Sequence, residues 1–233
     1  MTGRGPVLAV VPAHDEAGRV GQVVKSLVRQ GLPVLVVDDG SSDGSGAEAM
    51  RAGARVLRQE PNRGKGAALK TGFAQALSDV DAWAGFLTLD ADGQHDPAKV
   101  PEFLSLWEES GADLVIGFRD YAAMPRVRWF TNTVSRGLFS WAMGQNIPDN
   151  QSGYRLHSRR LAELALASRE QGFAFEVEEI ALCLGRGYAL AWLPVPTIYG
   201  SEKSDIKPWS HFSSFVRVTR RARRLMKNEG RSR

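Results

Sequence analysis

Phe86-Leu87-Thr88-Leu89-Asp90-Ala91-Asp92-Gly93-Gln94 reads as a short buried strand running straight into an acidic turn. Two carboxylates with one residue between them, at the end of an apolar strand, project toward the same space. With the amide oxygen of Gln94 they offer hard oxygen donors suited to Mg2+ or Mn2+. An Asp-x-Asp pair alone is common, and its placement is what gives this one weight. The arrangement recurs upstream, where Pro12-Ala13-His14-Asp15-Glu16 follows the apolar run Val7 to Val11 and Asp38-Asp39-Gly40-Ser41-Ser42-Asp43 follows Val34 to Val37. Acidic residues thus gather beyond the carboxyl ends of successive strands, the edge at which open α/β sheets bind ligands. For Asp15, Asp43 and Asp96 a helix-cap or turn role is the simpler expectation.

Five strand-like runs occupy the first half: Val7 to Val11, Val34 to Val37, Arg55 to Leu57, Gly85 to Leu89 and Leu114 to Ile116. Between them, Glu16 to Gln30, Ser45 to Ala52, Gly66 to Leu77 and Pro97 to Glu109 space their apolar residues as amphipathic helices do. This alternation predicts an α/β fold, Rossmann-like, with a mostly parallel sheet and helices on both faces. After Gly117 the spacing predicts helices over Trp129 to Met143, Arg159 to Ala167 and Val177 to Arg186, then a strand over Tyr188 to Val195. In the aromatic-rich first of these, Trp129, Phe130, Phe139 and Trp141 are expected in the core. His14, His95, His157 and His211 are scattered, and surface or turn positions are expected for them.

With 233 residues, 43% of them hydrophobic and 24% charged, the chain suits one α/β domain and excludes disorder or collagen-like repetition. The single cysteine, Cys183, excludes an internal disulfide, and no Cys/His cluster has zinc spacing. A reducing, cytoplasmic setting is therefore expected. The N-terminal apolar run is too short for a signal peptide or a membrane span, so no export is expected.

The net charge of +4 is unevenly spread, because Ser210 to Arg233 holds eight basic residues against one acidic residue, Glu229. Phe212, Phe215, Val216, Thr219, Ala222, Leu225 and Met226 fall three or four apart, with the arginines mostly opposite. That profile fits a helix lying in a membrane interface or one packed on the domain with its cations solvated. The expected division is a catalytic domain over residues 1–208 and a basic amphipathic tail over 209–233, with no nucleic-acid partner.

Two phosphate-binding patterns are set aside. Gly44-Ser45-Gly46-Ala47-Glu48-Ala49 matches a dinucleotide fingerprint formally, but it follows an Asp-rich turn and reads as a helix start. Arg63-Gly64-Lys65-Gly66 resembles part of a P-loop, yet Gln59 stands at the leading glycine and Gly66 at the Ser/Thr. Its glycines and cations at a helix N-terminus still suggest an anion site or a close backbone approach.

Five blocks in order resemble the family 2 glycosyltransferases, and in particular the polyprenyl-phosphate (dolichyl-phosphate) mannosyl- and glucosyltransferases. They are Val11-Pro12-Ala13-His14-Asp15-Glu16, Val37-Asp38-Asp39-Gly40-Ser41-Ser42-Asp43, Asn62-Arg63-Gly64-Lys65-Gly66, Leu89-Asp90-Ala91-Asp92-Gly93-Gln94-His95 and Asp149-Asn150-Gln151-Ser152-Gly153-Tyr154-Arg155. The resemblance spans residues 7–208 and implies a GT-A fold, a nucleoside-diphosphate sugar donor and a divalent metal. It places Pro12, Ala13, Glu16 and Asp39 on the nucleoside, and Asp90 and Ala91 beside the nucleotide. Asp90, Asp92 and Gln94 fall on the metal and Arg119 near the diphosphate. Arg128 and Asn132 fall where the family binds the acceptor phosphate, and Glu178 at a recurrent acidic position. In the loop after the last strand the family's usual arginine is missing, which leaves Lys203, with Lys207 behind it, as the available cations. The C-terminal membrane helices of many relatives are missing too, so a peripheral contact at the cytoplasmic membrane face is expected.

The activity so implied is metal-dependent, inverting transfer of a hexose to a polyprenyl phosphate, with Asp92, Arg128 and Lys203 as the catalytic set. A hydroxyl acceptor would need a general base, with Glu178 or Glu179 as the first candidates. The alternatives are transfer to such a hydroxyl and non-catalytic nucleotide binding by a protein that docks on membranes.

Overall fold

Strand β1 (Val7–Ala13) is buried along its whole length, and its side chains separate by parity. Val7, Ala9 and Val11 pack under helices on one face of the sheet, while Leu8 and Val10 pack under those on the other. A central strand covered on both faces must be apolar at consecutive positions, as this run is. The computed structural model describes residues 3–80, 82–119, 126–196 and 216–224, with the side chains of residues 126–132 and 134 outside that description.

Around β1 lie β2 (Val34–Asp39), β3 (Arg55–Gln59), β4 (Gly85–Thr88), β5 (Leu114–Arg119), β6 (Arg155–Ser158) and β7 (Leu190–Val195), in the spatial order β3-β2-β1-β4-β6-β5-β7. All neighbours are parallel except β6, which is antiparallel to both β4 and β5. One face carries α1 (Val20–Arg29), α2 (Ser45–Arg51) and α4 (Val100–Ser110). The other carries α3 (Lys65–Ser78), α6 (Arg159–Ala165) and α7 (Ala174–Gly185). Helix α5 (Arg126–Met143) and α8, residues 216–224, join a third cluster with α7, built on Leu114 and Ile116 of β5. Among the described residues no helix is long and apolar enough to cross a membrane.

Strand β6 is absent from the sequence expectation because its residues are polar. Arg155 and His157 point to one face, where Arg155 Nη1 lies 3.3 Å from Glu179 Oε2 and His157 Nε2 lies 3.0 Å from Glu179 Oε1. The three polar side chains are buried together, which a reading by hydrophobic alternation does not register. His157 is therefore a core residue, packed edge-on against Phe73 with ring centroids 5.2 Å apart, and not a surface or turn one.

Helix α1 begins at Val20 instead of Glu16. Gly18 has φ +85°, and the amides of Gly18 and Gly21 donate to the Glu48 carboxylate at 2.6 and 2.9 Å, so α2 caps α1 from outside. The expected helix from Pro97 splits into a 3-10 turn, Pro97–Lys99, and α4. Asp96 caps that turn by accepting from the Ala98 amide at 2.9 Å, in keeping with its expected role.

In α8 the buried residues are Val218, Thr219 and Ala222, and two of its arginines pair with the domain. Arg217 Nη2 is 3.0 Å from Glu170 and Arg221 Nη1 is 3.0 Å from Glu178. For these residues the packed reading of the amphipathic pattern holds, and their apolar face is not left for lipid. Phe139 is in the core as expected, whereas Trp141 is 61% exposed beneath the Arg223 guanidinium.

Candidate active site

The strand ends meet at one edge, and each acidic turn there does a different job. Asp38 accepts from the Ser41 amide at 2.9 Å and from Arg58 Nη1 at 2.8 Å. Asp15 accepts from the Ser42 amide at 2.8 Å, and Asp43 accepts from the Ala17 and Ser45 amides at 2.8 and 2.9 Å. These bonds stitch the loop after β1 to the loop after β2. Pro12 and Ala13 close β1 as buried residues beside that seam, and Glu16 lies at its rim with its carboxylate 2.5 Å from Arg19 Nη2.

Asp39 is buried and accepts three hydrogen bonds: from Gln59 Nε2 at 2.5 Å, the Arg63 amide at 2.8 Å and the Gly64 amide at 2.8 Å. The anion at the start of α3 is thus the protein's own. Both glycines of that loop serve close approach. A Cβ on Gly64 would lie 2.9 Å from the Gln171 carbonyl oxygen, and one on Gly66 would lie 2.6 Å from Phe175 Cβ.

Lys65 then turns inward, with Nζ 2.5 Å from Asp90 Oδ1 and 2.8 Å from Glu176 Oε1. Burial would lower its pKa, but Asp90 and Glu176 hold it above the usual lysine value. Burial would likewise raise the Asp90 carboxyl, but Lys65 and a hydrogen bond from His95 hold it well below the usual carboxylate range. His95 Nε2 lies 3.4 Å from Asp90 Oδ2, and its ring packs on the buried Tyr154. His95 is therefore a buried partner of the acidic turn, not a surface residue.

Gly153 lies against the same carboxylate, since a Cβ there would sit 2.8 Å from both Asp90 oxygens. Ala91 is buried beneath the turn, and Gly93 takes φ +78° so that the Gln94 amide can donate to Asp92 Oδ1 at 2.9 Å. At the end of β5, Arg119 makes a two-pronged contact with the buried Asp149 at 2.8 and 3.2 Å. Arg128 and Asn132 lie on α5, but their side chains fall outside the described residues, as do Lys203 and Lys207 altogether.

Both candidate general bases are committed elsewhere. Glu178 accepts from the Ser168 hydroxyl and pairs with Arg221, and Glu179 is buried with Arg155 and His157. Among the described residues no three His, Cys, Asp or Glu side chains converge on a metal position. In the turn after β4, Asp90 faces Lys65 and His95 while Asp92 accepts from the Gln94 amide; Mg2+ characteristically takes one or two carboxylates from a protein and completes its shell with water and phosphate.

Sequence reasoning missed Lys65 as the clamp on Asp90, and with it Glu176, Gly153, His95 and Asp149. All but Glu176 lie inside or beside the quoted blocks, but their partnerships cross between blocks, where spacing carries no signal.

The family description Glycosyl transferase family 2 matches residues 8–170. The chain belongs to that family. An undecaprenyl-phosphate mannosyltransferase of Micrococcus luteus is 32% identical over 74% of this chain and 75% of its own. A polyprenol monophosphomannose synthase of Mycolicibacterium smegmatis is 30% identical over 81% of this chain and 76% of its own. Of two further relatives the match covers 62% of their own length, over 59% and 83% of this chain. Among solved structures, glucosyl-3-phosphoglycerate synthase of Mycobacterium tuberculosis, in complex with Mn2+, UDP-glucose and phosphoglyceric acid, superposes with a TM-score of 0.74 at 22% identity, covering 94% of this chain and 79% of that one. That likeness bears on the fold, and the expected GT-A architecture stands. This family 2 glycosyltransferase is accordingly an enzyme.

Proposed function

We propose that the enzyme transfers a hexose, with inversion, from a nucleoside-diphosphate sugar to a polyprenyl phosphate, working peripherally at the cytoplasmic face of a membrane. The observation that carries the choice of acceptor is the commitment of both carboxylates, Glu178 to Arg221 and the Ser168 hydroxyl and the buried Glu179 to Arg155. A hydroxyl acceptor needs a base to take its proton, whereas a phosphate monoester is already anionic and needs only to be placed. The names of the two curated relatives support the same class of acceptor.

In this reading the loops after β1 and β2, with Pro12, Ala13, Glu16 and Asp39, receive the nucleoside. Asp90 and Ala91 lie beside the diphosphate, and Asp90, Asp92 and Gln94 hold Mg2+ or Mn2+. The cation, when bound, neutralises charge growing on the leaving diphosphate. Arg119, oriented by Asp149, adds a fixed positive charge on that side. Arg128 and Lys203 place the acceptor phosphate and offset its repulsion from the donor.

The test is transfer of labelled hexose, from uridine and guanosine donors in turn, into polyprenyl phosphate with Mn2+ present. Wild-type protein should give a lipid-linked, acid-labile product, and Asp92→Ala should give none while melting as a folded protein. Label passing only to lipids with free hydroxyls would overturn the acceptor, and full turnover by Asp92→Ala would overturn the metal role.

A further inference from the structure

Phe173 precedes α7 and leaves 51% of its surface in solvent, although it sits at the ligand-binding edge of the sheet. Its ring centroid is 5.6 Å from Lys65 Nζ, the nitrogen that also touches Asp90 at 2.5 Å. The ring is not there by looseness of the chain. The Gln171 carbonyl accepts from the Ala67 amide at 2.9 Å and the Gly172 carbonyl from the Phe175 amide at 3.1 Å. These two carbonyls press on Gly66, where a Cβ would lie 2.9 Å from the Gly172 oxygen, while a Cβ on Gly172 itself would meet nothing within 4 Å. A backbone fixed from below thus holds the half-exposed aromatic ring at the rim.

We infer that Phe173 is the binding platform for the hexose of the donor, stacking its ring on the apolar C–H face of the sugar. The inference rests on the donor proposed above. A hexose joined to a diphosphate beside Asp90 would lie near that carboxylate, and Lys65, which contacts both Asp90 and Phe173, places the ring in the same neighbourhood. Aromatic faces combined with a few fixed polar groups are the usual lining of small-molecule sites. The Lys65 ammonium under the ring is held by two carboxylates, so it fixes the ring's position through a cation–π contact.

The test compares a nucleoside diphosphate with its hexose ester, UDP with UDP-glucose and GDP with GDP-mannose, by calorimetry with Mn2+ on wild type, Phe173→Leu and Phe173→Trp. Leucine keeps an apolar side chain without an aromatic face. It should weaken the sugar ester roughly fivefold while leaving the diphosphate unchanged, and tryptophan should restore the ester. Equal weakening of ester and diphosphate, or unchanged affinity for both, overturns the platform. So does a rise in KM for polyprenyl phosphate with donor affinity intact, which would mean that the ring meets the lipid. A wild type that binds the diphosphates but neither ester also overturns it, whereas one that binds none of the four removes the donor reading itself.

Discussion

Lys65 Nζ lies 2.5 Å from Asp90 Oδ1, and the same nitrogen is 2.8 Å from Glu176 Oε1. One ammonium therefore ties the acidic turn after β4 to the first turn of α7, two segments more than eighty residues apart in the chain. The loop that delivers Lys65 is itself pinned by Asp39, so the acidic turns after β2 and β4 are mechanically linked.

Removing that cation should cost stability. Lys65→Met keeps the aliphatic stem but leaves the buried Glu176 without its counter-ion, an expected loss of about 3 kcal/mol in urea unfolding. Adding Glu176→Gln should recover part of it. Wild-type stability in Lys65→Met would show that the two carboxylates do not depend on the bridge.

Gly153→Ala should damage turnover more than folding. The added methyl would lie 2.6 Å from Lys65 Nζ and 2.8 Å from both Asp90 oxygens, so the carboxylate must move. We expect a fall in kcat of about tenfold or more, with unfolding midpoints close to wild type. Wild-type kcat would mean that the place of Asp90 is not critical.

Acid stability should depend on Asp113, which accepts from Arg160 Nε and Nη2, both at 2.5 Å, and from the Ser158 hydroxyl at 2.8 Å. Burial pushes its pKa up, but Arg160, Ser158 and the Ala189 amide outweigh burial and hold it below the unfolded value of 3.8. With the folded pKa depressed, the stabilisation is present above 3.8 and is lost as pH falls through the lower folded value. Asp113→Asn should be less stable than wild type at about pH 7, and the gap should narrow toward about pH 3. A gap independent of pH would contradict this.

Cys183 should be inert while the protein is folded. Burial, together with Asp113 and Glu179 nearby, pushes its thiol up to about 12, and thiolate is the form that alkylating reagents attack. Labelling by iodoacetamide should be slow in buffer and fast in denaturant. Rapid native labelling would show that the pocket around Cys183 opens.

How much of this was legible in the sequence depended on whether a feature was local. Strands β1, β2 and β4 are apolar runs ending in acidic turns, so both their existence and their chemistry could be read from a few neighbouring residues. Strand β6 could not, because Arg155 and His157 belong in a core only once Glu179 of α7 stands opposite them. The same holds for Lys65, whose sequence neighbours suggested a site for a foreign anion while its actual partners come from β4 and α7. Helix α1 starts late for a reason carried by Glu48 on another helix. In the second half, the amphipathic pattern around Val218 and Ala222 suits lipid or protein equally, and only the contacts decide.

The position of β6 also bears on how the chain is made. Strand β5 joins the sheet only through β6 and β7, both of which follow it in sequence. During synthesis β3, β2, β1 and β4 can assemble from contiguous chain, while β5 emerges with neither neighbour and must wait for residues 155–158. The nascent polypeptide therefore carries an unpaired apolar segment at Leu114 to Ile116 for some forty residues of elongation, an interval in which a chaperone has something to hold.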